Sequence, residues 1–203
     1  MTVFIWIWIL LLIFIFFRLI IKYDSSHGLK LGAGTWAAAI ANALAASILI
    51  SHRRYPALQG LLYGILAAYL ATASITDRQT KMVHDFLHLP GGLAGVSLLI
   101  YRWPDQAVFW EAVIFFAIQM LIFRRLYGTA DCLVFCVCAL YLAAEGQGMM
   151  TYLLHMGASF LLLAVVQIFR KNINRQGNLK EPVALVPYIT VSMWIFLVSY
   201  MRA

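Results

Sequence analysis

Charged residues are scarce in this chain. They make up 11% of its 203 residues, whereas a soluble domain carries about a quarter. Hydrophobic residues account for 64% of the sequence, and the mean hydropathy is +0.86. These charges are too few to cover the surface of a water-soluble fold of this size. The composition therefore predicts an integral membrane protein in contact with the lipid bilayer.

The alternation of polar and apolar residues that marks membrane-spanning strands is also absent. The apolar runs are about 14 to 21 residues long, which is typical of helices that cross a bilayer. Only helices and closed barrels satisfy their own backbone groups in lipid. We therefore predict an all-α, polytopic membrane protein with about eight transmembrane helices. The predicted spans are 3–21, 33–50, 57–76, 88–101, 107–123, 131–144, 149–169 and 182–200.

Cysteine is rare as well, and the three cysteines share one apolar run. Cys132, Cys136 and Cys138 form no CxxC pair and have no neighbouring histidine that would complete a zinc site. We interpret them as small buried residues. The sequence predicts no metal ion and no other cofactor.

Polar residues within the spans are few, and small residues are common. The second and third runs are rich in Ala and Gly, which predicts close helix packing. Four polar residues inside spans are interpreted as interhelical hydrogen-bond formers rather than ligands. These residues are Asn42, Gln119, His155 and Gln167.

Basic residues outnumber acidic ones, with 15 Lys and Arg against 8 Asp and Glu and a net charge of +7. On the predicted segmentation, one side of the membrane has eleven of the 15 basic residues, ten in its loops and Arg18 near the end of the first span. By the positive-inside rule, this side is cytoplasmic. The distribution predicts a protein of the inner membrane with both termini outside, and it accounts for the charge without a nucleic-acid partner. The other side carries Arg53, Arg54, Arg102 and Arg202.

Two aspartates lie where apolar runs meet polar segments on the predicted cytoplasmic side. Asp77 follows the third run, and Asp131 opens the sixth run after Gly128-Thr-Ala. Either residue alone is most simply a helix cap or an interfacial charge. As a pair, two close carboxylates cannot both ionise readily, so one can serve as a general base and the other as a general acid. This is the arrangement of an aspartic protease.

Three segments resemble motifs of the type IV prepilin peptidases, a family of membrane aspartic proteases with a Gly-x-Gly-Asp motif. Segment 75–87, ITDRQTKMVHDFL, is similar to the family's first aspartate motif. Segment 128–131, GTAD, resembles Gly-x-Gly-Asp, and segment 180–188, KEPVALVPY, resembles the entry into the last helix. The three segments occur in the order expected for the family.

The resemblance implies a six-helix peptidase core over residues 57–203, preceded by two additional helices in residues 1–56. It implies cleavage of the leader peptide of prepilin-like precursors (type IV pilin, pseudopilin or Flp-type) at the cytoplasmic membrane interface. N-methyltransferase activity is not expected, because no loop could hold the cysteine-pair domain of larger members. Catalysis is assigned to Asp77 and Asp131. The residues implied to bind substrate or support this pair are Lys81, Asp85, Gly128, Thr129, Ala130 and Pro187.

The chain departs from the family's pattern at two positions. Ala130 replaces the second glycine of Gly-x-Gly-Asp, and His84 replaces the proline before Asp85. One alternative is an ion- or proton-coupled transporter, because intramembrane acids also line ion paths. Another is a catalytically impaired relative that acts in pilus or secretion assembly. The sequence makes no prediction of the oligomeric state.

Overall fold

The computed structural model describes residues 1–23, 29–173 and 183–200. Within these ranges the chain forms helices and no strand, so the predicted all-α fold is confirmed. A π-helical stretch, Gln119–Phe123, interrupts the fifth helix. The helices are α1 (Thr2–Tyr23), α2 (Ala33–His52), α3 (Ala57–Thr80), α4 (Asp85–Arg102), α5 (Gln106–Tyr127), α6 (Thr129–Ala144), α7 (Met149–Ile173) and α8 (Val186–Tyr200).

Five helices of the described part are long and apolar enough to cross a bilayer, namely α1, α2, α3, α5 and α7. They make the chain a multi-pass membrane protein. Helices α6 and α8 are apolar but shorter. Helix α4 has 18 residues, with a charged residue at each end and Pro90 inside. Crossing by these three helices, and hence the total of eight spans, stays a prediction.

Helix α3 extends beyond the end predicted from its apolar run. The run ends at residue 76, whereas the helix continues to Thr80, so Asp77 lies in its last turn. The hydroxyls of Thr76 and Thr80 donate to carbonyls one turn earlier, at 3.0 and 2.8 Å. The helix closes at Lys81, which has a left-handed φ of 58° and donates its N–H to the Asp77 carbonyl at 2.9 Å. The predicted boundary is therefore wrong, and Asp77 is buried, with 7% of its surface exposed.

Helices α3 and α6 lie at the centre of the bundle. Helix α3 packs against α1, α2, α4 and α8, and α6 packs against α4, α5, α7 and α8. Most residues of α3 and α6 are buried, whereas few of the described residues of α5 and α7 are buried, so these two helices lie on the outside of the bundle. Because Asp77 belongs to α3 and Asp131 to α6, the two central helices carry the two aspartates.

Glycines allow the helices to approach closely, as the small-residue content predicts. A Cβ atom at Gly64 of α3 would lie 2.8 Å from the Trp8 side chain of α1. A Cβ atom at Gly91 of α4 would lie 3.0 Å from the Tyr69 ring of α3. The first distance is shorter than real Cβ atoms show and the second is tighter than most, so a side chain at either position would require its neighbour to shift. The predicted close packing of α3 is confirmed.

The first two helices pack against each other and against α3. The Lys30 N–H donates to Gln79 Oε1 at 3.0 Å, and Gln79 Nε2 donates to Thr35 Oγ1 at 2.8 Å. Gln79 lies two residues after Asp77. Helix α2 and the segment before it are therefore bonded to the turn of α3 that carries this aspartate. The division of the chain at residue 56 stays a prediction.

Candidate active site

Asp77 is held in place by the beginning of α8. Its Oδ2 accepts a hydrogen bond from the Val186 N–H at 2.9 Å, and the Leu185 N–H also donates to this carboxyl group. The first N–H groups of a helix have no partner within the helix, so they are available to an acid from another segment. The start of α8 therefore fixes the position of the Asp77 carboxyl group.

Further contacts join α8 to α3 next to this hydrogen bond. The hydroxyls of Ser74 and Thr190 lie 2.6 Å apart, one turn further into the bundle. Pro187 is the second residue of α8 and is half-buried. Proline suits the first turn of a helix, where an N–H is not needed. Lys180 and Pro182, the other residues of the predicted entry motif, lie outside the described residues.

Asp131 lies in the first turn of α6 and is half-buried. Its carboxyl group is close enough to that of Asp77 for their charges to interact. In the part of the chain that the structure describes, no hydrogen bond is made to the Asp131 side chain. The structure thus brings the two predicted catalytic residues close enough to interact electrostatically. Asp77 is fixed by the start of α8, whereas the Asp131 side chain has no hydrogen-bond partner among the described residues.

The turn before Asp131 requires a glycine. Gly128 separates α5 from α6 with φ 103° and ψ 157°, a conformation that residues with a side chain rarely adopt. Gly128 and Thr129 are exposed, whereas Ala130 is half-buried and packs against the core. Ala130 lies within the helix and has no positive φ. The methyl group that replaces the second glycine therefore causes no backbone strain.

Lys81 and Asp85, the two charged residues predicted to support the pair, interact with different groups. Lys81 is close enough to Asp77 for their opposite charges to attract, and its side chain is exposed. Asp85 is the first residue of α4, is exposed, and acts electrostatically on His88. Among the described residues, Asp85 forms no hydrogen bond or ion pair with either aspartate. The structure therefore brings Lys81 close enough to Asp77 to interact with it, whereas Asp85 interacts with His88.

A buried tyrosine–histidine pair lies at the same end of the bundle as this site. Sequence reasoning gave His88 a capping or substrate-contact role but missed its partner, Tyr69. The Tyr69 hydroxyl lies 2.8 Å from His88 Nδ1, and Tyr69 interacts electrostatically with Asp131. The two residues are 19 positions apart on different helices and belong to no motif, so no sequence signal joins them. Sequence reasoning also missed the role of Val186, because every residue except proline offers a backbone N–H.

No known protein family, curated protein or solved structure matches this chain. Among the residues described, no group of three His, Cys, Asp or Glu side chains is arranged to hold a metal ion. The three cysteines are buried on α6, as predicted. The site contains the carboxyl groups of Asp77 and Asp131, which together can take a proton from water and return it to a leaving group.

Proposed function

We propose that this protein is a membrane aspartic endopeptidase that removes the leader peptide of prepilin-like precursors at the cytoplasmic face of the inner membrane. Asp77 and Asp131 are its catalytic pair. The observation that supports the proposal most is that three segments far apart in the sequence meet. The end of α3, the start of α6 and the start of α8 come together at Asp77, Asp131 and Val186.

These are the same three segments that resemble the prepilin peptidase motifs. A capping role explains one acid at one helix end. It does not explain two acids from different helices beside each other, because like charges with little water around them raise the free energy of the folded state. Acids in such surroundings cluster at functional sites. The arrangement therefore favours catalysis over a structural role.

In the proposed reaction, the pair hydrolyses one peptide bond. The ionised carboxylate takes a proton from a water molecule while the water oxygen attacks the peptide carbonyl carbon. The protonated carboxyl group donates its proton to the carbonyl oxygen. The C–N bond of the tetrahedral intermediate then breaks as the carboxyl group that took the water proton passes it to the leaving nitrogen. One hydroxyl group of the intermediate returns its proton to the other carboxylate, which yields a carboxylic acid and an amine. The pair ends with one shared proton, as it began.

The helix ends suit a substrate that is partly in the membrane. A prepilin-like precursor has a short basic leader in the cytoplasm and a hydrophobic helix in the bilayer, with a glycine at the boundary. Asp77 lies in the last turn of α3 and Asp131 in the first turn of α6, so both belong to the same end of the bundle. The distribution of eleven among 15 basic residues favours the cytoplasmic side for this end.

Cleavage in proteoliposomes tests this proposal. The purified protein is reconstituted with a tagged precursor that has a basic leader, a boundary glycine and one hydrophobic helix. We expect the unaltered protein to produce the shortened product, and Asp77→Asn and Asp131→Asn to produce none. Asp105→Asn is the matched control, because Asp105 is exposed and precedes α5 at the other end of the bundle. It should cleave normally.

Two other outcomes would contradict the proposal. Normal cleavage by both Asp77→Asn and Asp131→Asn would refute an aspartyl mechanism at these residues. If the unaltered protein forms no product but conducts protons or cations in a manner that depends on the two aspartates, the transporter alternative is the better account.

A further inference from the structure

A buried histidine at the same end of the bundle as the proposed catalytic pair has one ring nitrogen without a partner among the described residues. His88 of α4 has 7% of its surface exposed. Its Nδ1 contacts the Tyr69 hydroxyl at 2.8 Å, whereas its Nε2 is buried and has no hydrogen-bond partner among the described residues. Buried polar atoms are nearly always bonded, so an exception calls for a group that completes the site.

The hydrogen bond to Tyr69 determines which nitrogen of His88 carries the proton. Among the described residues, His88 Nδ1 is the hydrogen-bond partner of the Tyr69 hydroxyl. If Tyr69 donates to Nδ1, the ring proton of a neutral histidine is on Nε2. The opposite tautomer would leave both the Tyr69 proton and Nε2 without partners, so it is less favourable. His88 Nε2–H is therefore a donor that lacks an acceptor among the described residues.

This donor lies at the same end of the bundle as the proposed catalytic pair, and its partner Tyr69 is tightly packed. Tyr69 belongs to α3, as Asp77 does, and interacts electrostatically with Asp131. His88 is in the first turn of α4, the helix that packs against both α3 and α6. The close contact between Gly91 and the Tyr69 ring leaves the pair little freedom to move.

We infer that His88 Nε2–H donates a hydrogen bond to a backbone carbonyl of the bound substrate, near the peptide bond to be cleaved. The inference rests on the proposed peptidase function and names a substrate-binding residue for it. A transmembrane helix must unwind locally before its peptide bond can be attacked, which leaves carbonyls without partners where water is scarce. A fixed donor that lacks an acceptor within the described structure can satisfy one of them.

Two substitutions distinguish the two ring nitrogens. In His88→Gln the longer side chain places an amide N–H near the position of Nε2, whereas in His88→Asn the amide remains near Nδ1 and keeps only the bond to Tyr69. We expect kcat/KM for the tagged precursor to stay within about threefold of normal in His88→Gln and to fall about tenfold or more in His88→Asn. Steady-state cleavage in proteoliposomes measures both values.

A third variant separates binding from folding. Tyr69→Phe combined with His88→Leu removes all polar side-chain atoms of the pair, including the unsatisfied donor. We expect its Tm in detergent to be equal to or above that of the unaltered protein, with the same loss of kcat/KM as in His88→Asn. A purely structural pair would give the reverse, a lower Tm with normal cleavage per folded molecule.

The Asp77→Asn variant makes the two possible failures distinguishable. If Asp77→Asn is inactive but His88→Asn and the double variant cleave normally, this inference is refuted and the proposed function stands. If the unaltered protein does not cleave the precursor, or if Asp77→Asn cleaves it normally, the proposed function fails and the inference fails with it.

Discussion

Helix α6 has an acid near each end, and the two acids have opposite surroundings. Glu145, just after the helix, accepts hydrogen bonds from Tyr55 at 3.0 Å, from Arg102 at 3.1 and 3.2 Å, and from Tyr63. Asp131, in the first turn, accepts none from the described residues and lies beside a second carboxyl group. An acid whose oxygens are occupied joins helices together, whereas an acid with free oxygens beside another acid is available for proton transfer.

The Glu145 cluster, which consists of Glu145, Tyr55, Tyr63 and Arg102, fixes one end of the bundle. It joins the segment after α2, the first part of α3 and the ends of α4 and α6. Burial of Tyr55, together with the negative charge of Glu145, raises the pKa of Tyr55 to about 12. The hydroxyl therefore keeps its proton and continues to donate to Glu145. The contrast predicts that the two ends of α6 respond differently to the same kind of substitution.

The largest difference is expected in catalysis. Asp131→Asn should lower the cleavage rate by at least about a thousandfold, because an amide neither accepts nor returns the proton. Glu145→Gln should leave the rate per folded molecule within about threefold of normal, because the Glu145 cluster is at the other end of α6. Product formation, normalised to folded protein by size-exclusion chromatography, measures both. A folded but inactive Glu145→Gln would contradict the assignment of roles.

The next largest effect is on stability, where Glu145→Gln should have the larger effect and Asp131→Asn the smaller one. Glu145→Gln removes the partner of Arg102, but the two side chains are 16% and 34% exposed. The cost should therefore lie below that of breaking a fully buried pair, at about 1 to 3 kcal/mol. Asp131→Asn should leave stability equal or slightly higher, since it removes an unfavourable like-charge interaction with Asp77. Unfolding in detergent, with Asp105→Asn as the control, measures the difference. An unchanged Tm in Glu145→Gln would show that the cluster is not a stabilising contact.

Two glycines allow a finer comparison of the ends of α6. Gly128 precedes the helix with φ 103°, and Gly146 follows it with φ 75°. A Cβ atom would have space at both positions, so substitution by alanine tests conformation alone. Each substitution should cost about 1 to 2 kcal/mol of stability. Only Gly128→Ala should also lower kcat, by about tenfold, because it displaces Asp131 from its neighbour. Equal kcat values in both variants would contradict this.

The smallest effect on catalysis is expected from replacement of the three cysteines of α6. Replacement of Cys132, Cys136 and Cys138 by alanine should leave cleavage per folded molecule within about threefold of normal, because an aspartyl mechanism uses no thiol. The substitutions leave small cavities, so a stability loss of about 1 to 3 kcal/mol in total is expected. Cleavage should also persist in a chelator. Complete inactivation by either treatment would argue against the aspartyl mechanism.

The fold and the two aspartates are predictable from the sequence because the physical constraints on them are strong. Lipid restricts apolar runs of this length to helices, which is why the composition predicts the all-α fold. Asp77 and Asp131 are acids at the ends of apolar runs, where few residues are charged. The contact between Asp77 and Val186 is not predictable, because a backbone N–H has no signature in the sequence.

Hydrogen bonds inside the spans are predictable only in part. His155 lies 3.3 Å from the Ile189 carbonyl of α8, and Gln119 donates to the Met156 sulfur of α7, so these interhelical predictions are confirmed. The prediction for Asn42 is wrong, because its amide donates to the Ala38 carbonyl of its own helix at 2.8 Å. A carbonyl one turn away is always within reach of such a side chain, whereas a partner on another helix depends on how the helices pack.

The most direct test of the central claim compares Asp77→Asn, Asp131→Asn and the double variant in the same proteoliposomes. If the two carboxyl groups act as one unit, either single change removes both the base and the acid. The double variant is then no slower than either single variant. Asp85→Asn serves as the control and should stay within about threefold of normal, since Asp85 is exposed and contacts neither aspartate in the described structure. The account predicts equal residual rates for the three variants. Losses that multiply in the double variant, or normal cleavage by either single variant, would contradict it.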